Sequence, residues 1–221
     1  MSTPAPTISP AIVDGLVARI EGLARKTERR VLIGIAGMPA AGKTTLAEAL
    51  VTRLAGGPEW ADSQVAHVPM DGFHLADAEL RRLGLLDTKG APETFDVAGY
   101  ATLLRRIAAG ESVWAPSFER SLEQPIAQSL PVTENTRIVI SEGNYLLLPE
   151  RGWRAARSAF TETWFVRVEE ATRLRRLIWR HVEFGKSPVA ARQWVLRSDE
   201  PNAQLVAPTV KAANLVIDLD R

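Results

Sequence analysis

Eight residues, Gly37-Met38-Pro39-Ala40-Ala41-Gly42-Lys43-Thr44, follow the pattern G-x-x-x-x-G-K-[ST]. Such a loop cradles phosphate. Its glycines let backbone N–H groups curl around the oxygens of an anion, and the helix that follows points its positive end at the same charge. Lys43 would reach the β- and γ-phosphates of a nucleotide, and Thr44 would offer its hydroxyl to Mg²⁺, with Thr45 continuing the binding turn. Two acids stand where a partner chemistry could use them. Asp71 and Glu142 each come at the end of an apolar run and each is followed by glycine. Phosphoryl transfer needs a metal-side acid and a group that orients or deprotonates the attacking hydroxyl. The residues alone leave open which acid does which; the assignment taken here is Asp71 as base and Glu142, with Thr44, on the metal side.

Arg173, Arg176 and Arg180 are spaced i, i+3, i+7 and so share one helix face, opposite Leu174, Leu177, Ile178 and Val182. Beside a phosphate loop, this stripe is expected to be a lid that closes cations over the nucleotide, with Gly185-Lys186-Ser187-Pro188 as hinge. Arg176 and Arg180 join the ATP-binding set, and Arg176 the catalytic set. His74, just after Asp71, is a candidate substrate contact. His67 reads as structural, and His181 carries no assignment.

The elements that must position these groups are legible from pattern. Val31 to Ile35 reads as a strand buried on both faces, and Leu46, Leu50 and Leu54 mark a helix after the loop. Ile12, Leu16, Ile20 and Leu23 predict a helix before it. Further strands are expected at 64–70, 137–141, 163–168 and 214–217. Broken helix is expected over 75–110, and short edge strands and loops over 111–136, where Pro116, Pro125 and Pro131 interrupt. Strands alternating with helices imply a mainly parallel, helix-covered sheet whose ligands sit beyond the carboxyl ends of the strands. That rule puts the loop, Asp71 and Glu142 on one rim.

Composition bounds the function. The chain has 221 residues, 46% of them hydrophobic and 24% charged, which suits one domain with a sizeable core. A net charge of +1 gives no global field for nucleic acid or membrane. The absence of cysteine excludes disulfides and thiolate-bound zinc and fits a reducing, cytoplasmic setting. No apolar run reaches the length of a membrane span. Residues 1–10 read as a flexible tail and 11–221 as one domain, with an acceptor-binding insertion at about 72–135 and a lid at about 172–200. The expected partner is a small-molecule phosphoryl acceptor, for a monomer or homodimer.

From about Arg30 to the C-terminus the chain resembles the P-loop kinases of the phosphoribulokinase, uridine kinase and pantothenate kinase superfamily. The likeness is carried by the phosphate loop; by Pro69-Met70-Asp71-Gly72-Phe73-His74; by Lys89-Gly90-Ala91-Pro92-Glu93-Thr94-Phe95-Asp96; by Pro116-Ser117-Phe118-Glu119-Arg120; by Ile140-Ser141-Glu142-Gly143-Asn144-Tyr145; and by the arginine stripe. Within the superfamily it is similar to bacterial kinases labelled as candidate fructose-transport-system kinases, or as nucleoside/nucleotide kinase-like. The resemblance implies an α/β P-loop fold. This is a three-layer αβα sandwich with a five-stranded parallel sheet in the order 2-3-1-4-5 and a helical lid. It also implies ATP- and Mg²⁺-dependent phosphorylation of a hydroxyl on a sugar, sugar phosphate or nucleoside-like metabolite, with Asp71 as base. Two departures bear on the substrate. Gly90 stands where uridine kinases carry a ribose-binding aspartate. Phe118 and Arg120 stand where pantothenate kinases carry tyrosine and histidine. Arg120 would suit an anionic or polyhydroxylated substrate if it faces the pocket, and otherwise a surface salt bridge; Phe73, Phe118 and Tyr145 either wall the pocket or pack in the core.

Overall fold

Strand β1 (Val31–Gly37) is seven residues long and buried at every position. Its side chains alternate between two cores. Val31, Ile33 and Ile35 join one cluster and Leu32 and Ala36 the other, which is why the strand reads as continuous apolar sequence. This is a computed structural model that describes residues 8–220. The expected tail lies largely outside the described residues, and helix α1 (Pro10–Ala24) already begins at Pro10.

After β1 come α2 (Lys43–Ala55), β2 (Val65–His67), α3 (Asp77–Leu83) and α4 (Val97–Ala108). Then follow β3 (Val113–Glu119), β4 (Gln124–Val132), β5 (Ile138–Glu142), α5 (Arg151–Arg157) and β6 (Glu162–Arg167). The chain closes with α6 (Glu170–Glu183), α7 (Pro188–Trp194), a π-helical turn (Val195–Asp199), α8 (Glu200–Val206) and β7 (Leu215–Asp218). The main sheet has the order β2-β5-β1-β6-β7 and is parallel throughout. These labels differ from the expected 2-3-1-4-5 because β3 and β4 are counted between the strands of the sheet. Helices α1 and α2 cover one face with Leu16, Ile20, Leu46 and Leu50. Helices α4 and α5 cover the other with Tyr100, Leu104, Trp153 and Ala156.

Two expectations change in the structure. The second strand is three residues rather than seven, because Pro69 ends the ladder and Met70–Phe73 turns as 3-10 helix. The proline-rich stretch is a long two-stranded antiparallel hairpin, β3–β4, with a register irregularity between Ala115 and Ser117. Each of its strands has one partner, so Pro116, Pro125 and Pro131 interrupt no interior ladder.

Candidate active site

The carboxyl ends of β1 and β5 bring the loop and Glu142 together. β1 and β5 are neighbours in register, Ile35 opposite Glu142. Thr44 Oγ1 donates to Glu142 Oε1 at 3.1 Å. Gly42 caps α2 in the left-handed conformation, φ +96°, which only glycine adopts without strain. The α2 ladder starts with Leu46 N–H donating to Gly42 O at 3.0 Å. That leaves the amides of Lys43, Thr44 and Thr45 as the first-turn donors that a helix offers to an anion.

Lys43 and Glu142 are both buried, at 7% and 4% exposure. Burial lowers Lys43 to a pKa of about 8, partly offset by Glu142 and Asp71. Burial raises Glu142 to about 7; Asp71 pushes the same way, and Lys43 and the Thr44 hydroxyl oppose it. Lys43 Nζ meanwhile donates to Met38 O at 3.0 Å. A buried cation and a buried carboxylate, each uneasy in its charged form, surround the place where a metal and phosphates would neutralise both.

Asp71 faces them across the cleft from the turn after β2. Two close approaches hold that turn. A side chain on Gly72 would stand 2.3 Å from Pro116 O, so the hairpin packs directly on this backbone. His74 Nδ1 pairs with Asp71 O at 2.8 Å, and its ring lies against Phe95 and Phe118 at centroid distances of 4.0 and 4.9 Å. Burial lowers the His74 pKa, so the ring is neutral, and with Nδ1 facing a carbonyl its proton is assigned to Nδ1.

A cleft of about 670 Å³ joins these groups. It is lined by Pro39, Ala40 and Gly42 to Thr45 of the loop, by Asp71, His74, Phe118, Arg120 and Glu142, and by Arg176 and Arg180 of α6. Arg176 Nη1 is fully buried with no hydrogen-bond partner, 3.9 Å from where a Cβ on Gly42 would be. An orphaned guanidinium beside a phosphate loop is a place prepared for an anion. Burial also weighs against the charge of Arg180.

Other expected site residues lie elsewhere. Phe73 packs on Tyr100 at 5.0 Å and belongs to the core. Tyr145 is fully buried between Phe95 and Trp153, its hydroxyl donating to Gly90 O at 2.5 Å. Neither lines the cleft, because both rings complete the core under α4 and α5. Gly37, Met38 and Ala41 sit behind the loop's lining. Gly37 is still paired with Val166 in the sheet, and Met38 O accepts from Ala41 N at 3.1 Å and from Lys43. Arg173 parts company with its stripe. It is 1% exposed and bonded to Glu170 and to Glu200 of α8. In the other direction, Lys89, Asn144, Trp179 and the His181–Asp199 pair (2.8 Å) line the cleft unannounced. Lys89 and Asn144 stood inside quoted motifs; nothing local marked the other three.

Among the described residues, no group of three or more His, Cys, Asp or Glu could hold a metal by itself. The pair Thr44 and Glu142 suits Mg²⁺, which takes most of its ligands from phosphates and water.

The model of the phosphoribulokinase/uridine kinase family matches residues 32–220. The Escherichia coli K12 protein YggC is 33% identical over 192 residues, 87% of this chain and 79% of that one. A candidate uridine kinase of Schizosaccharomyces pombe is 34% identical over 166 residues, 72% of this chain and 70% of its own length. The crystal structure of a candidate fructose transport system kinase from Silicibacter sp. TM1040 is 33% identical. It superposes with a TM-score of 0.74 over 91% of this chain and 98% of that one.

Proposed function

The chain belongs to the phosphoribulokinase/uridine kinase family, and within it we propose that this protein transfers the γ-phosphate of ATP to a hydroxyl of a small metabolite. The observation that carries the reading is that one cleft gathers the phosphate loop, two acids and an unpartnered arginine. The loop amides and Lys43 bind the phosphates. Thr44 and Glu142 would hold Mg²⁺, which would supply charge neutralisation at the phosphates. Asp71 takes the proton of the attacking hydroxyl, and Arg176 and Arg180 balance the charge on the transferring group from the lid side. A net charge of +1 supports a small acceptor rather than a nucleic acid, and no helix among the described residues is long and apolar enough to cross a membrane. We place the activity in the cytoplasm, in a monomer or homodimer.

The test is transfer of labelled γ-phosphate from Mg·ATP to sugars, sugar phosphates, nucleosides and pantothenate, with Asp71→Asn alongside. Acceptor-dependent label whose kcat falls about 10²- to 10⁴-fold in the variant is the expected result. An unchanged kcat in Asp71→Asn would remove Asp71 as base.

A further inference from the structure

Asp71 is already engaged in this structure. Its Oδ2 accepts from Arg120 Nη2 at 3.2 Å. Arg120 follows β3 at the turn of the hairpin, its guanidinium 5.9 Å from the centre of the Phe118 ring. The neighbouring cation, Lys89, is tied down elsewhere: Nζ donates to Asp77 Oδ1 at 2.7 Å and to the Glu123 carbonyl. Arg120 is therefore the cation at this end of the cleft whose partner is the base itself. The pair is accessible, with side-chain exposures of 48% for Arg120 and 28% for Asp71, so it can be exchanged for a ligand group without a large loss. While it persists, the guanidinium holds one of the two carboxylate oxygens, Oδ2, and competes with a substrate hydroxyl for the base.

We propose that Arg120 determines acceptor specificity, by recognising a polyhydroxylated substrate with an anionic group of its own, phosphate or carboxylate, that draws Arg120 off Asp71 and leaves both carboxylate oxygens to the substrate hydroxyls. The proposal rests on the kinase reading above. The planar fork of arginine matches both oxyanions, whereas a neutral sugar offers only uncharged hydroxyl oxygens to replace Asp71 as its partner. His74 completes the recognition. With its proton on Nδ1, its Nε2 is a hydrogen-bond acceptor for a substrate hydroxyl. The site thus supplies one cation for an oxyanion and two hydrogen-bond acceptors for hydroxyls. In the reaction the substrate oxygen bonds to the γ-phosphorus, and the bond from that phosphorus to the β,γ-bridging oxygen breaks. The hydroxyl proton passes to Asp71, and ADP leaves.

The test compares kcat/KM with Mg·ATP for neutral sugars and polyols, for their monophosphates and for the corresponding sugar acids. It uses the wild type, Arg120→Gln and Arg120→Lys. The wild type is expected to favour one anionic set over the neutral parents by about 100-fold or more, and the favoured set tells phosphate from carboxylate. Arg120→Gln is expected to bring that ratio within about tenfold, and Arg120→Lys to restore part of it. A loss of packing alone would lower all three sets together and leave the ratio where it was. A wild type that prefers neutral sugars, or an Arg120→Gln variant that keeps the ratio, would overturn the proposal and leave the kinase reading standing. A wild type that binds Mg·ATP and phosphorylates no member of any set would overturn the proposal, and the kinase reading would fall with it only if nucleosides and pantothenate also took no label.

Discussion

Arg173, Arg176 and Arg180 share a helix face, yet the structure divides their work, and the division can be measured. Arg173 is a strut. It is 1% exposed and ties α6 to α8 through Glu200, which is 21% exposed, and to Glu170, three residues back and 57% exposed. The Glu170 bond is an exposed i,i+3 pair worth about 0.3–0.5 kcal/mol. The Glu200 bond is a buried pair, and removing one partner of such a pair costs about 3–5 kcal/mol. Two effects reduce that figure. Glu200 keeps some access to water, and Arg173 Nη1 is itself buried without a partner, so its removal relieves a cost. Arg173→Met is therefore expected to destabilise by about 2–4 kcal/mol, which lowers Tm by about 4–16 °C in a chain of this size. Arg176 makes no hydrogen bond or ion pair to the described residues. Arg176→Met is expected to leave stability unchanged or raise it by up to about 1–3 kcal/mol, because the cost of its unpartnered buried nitrogen is relieved, and to lower kcat about 10²- to 10³-fold, since a cation at the transferring phosphoryl group is lost. Urea unfolding and steady-state kinetics on the two variants decide the matter. If Arg173→Met unfolded at the wild-type midpoint while losing activity as Arg176→Met does, the argument from burial would be wrong and Arg173 would belong to the phosphate site.

Two further outcomes follow from the packing. Gly72→Ala places a Cβ 2.3 Å from Pro116 O and must displace the hairpin that carries Phe118 and Arg120; acceptor KM is expected to rise about tenfold or more while the KM for ATP stays within about twofold. His67 is half-buried with its Nε2 fully buried and unpartnered, and burial lowers its pKa to about 4, so the unfolded chain binds the proton first as pH falls. Stability should therefore drop from pH 6.5 to 4 by up to about 3 kcal/mol. His67→Leu should flatten that part of the urea-unfolding profile, and parallel profiles for the two proteins would show that His67 does not titrate as its burial requires.

What could be read without coordinates was what is local. The phosphate loop is a contiguous motif, and Val31–Ile35 carries the continuous apolar signature of a strand covered on both sides. The acids were placed by the rule that ligands gather at the carboxyl ends of parallel strands, even though three residues separate Asp71 from the end of β2. The failures have one physical cause. Phe73 and Tyr145 lie within a few residues of Asp71 and Glu142, but their rings turn into the core under α4 and α5. Which way a ring turns is settled by partners far along the chain, Tyr100 for Phe73 and Phe95 for Tyr145. Arg173 matched Arg176 in every local respect, and only Glu200, 27 residues later, separates them. Trp179 and the His181–Asp199 pair reach the cleft through the packing of α6 on the π-helical turn, a register that no short-range pattern encodes.

The most costly feature of the fold is also the one that makes the loop's chemistry intelligible. Lys43 and Glu142 are buried within one site, and burial disfavours the charge on each. Their mutual attraction offsets part of that cost, and Thr44 contributes one hydrogen bond to Glu142. A core optimised for stability alone would place apolar side chains here. Retaining the charges makes sense if phosphate and metal complete the coordination, since each ligand charge then meets a group that already lacks solvent and need not be stripped of it during binding. Arg176 fits the same logic from the lid side: a guanidinium held beside Gly42 with a buried nitrogen unsatisfied is destabilising until an anion arrives. On this view the cost of burying these charges and the affinity for a bound nucleotide come from the same three side chains. Arg120 is the contrasting case, because its charge is already satisfied by Asp71, and a substrate anion has to compete with that pairing.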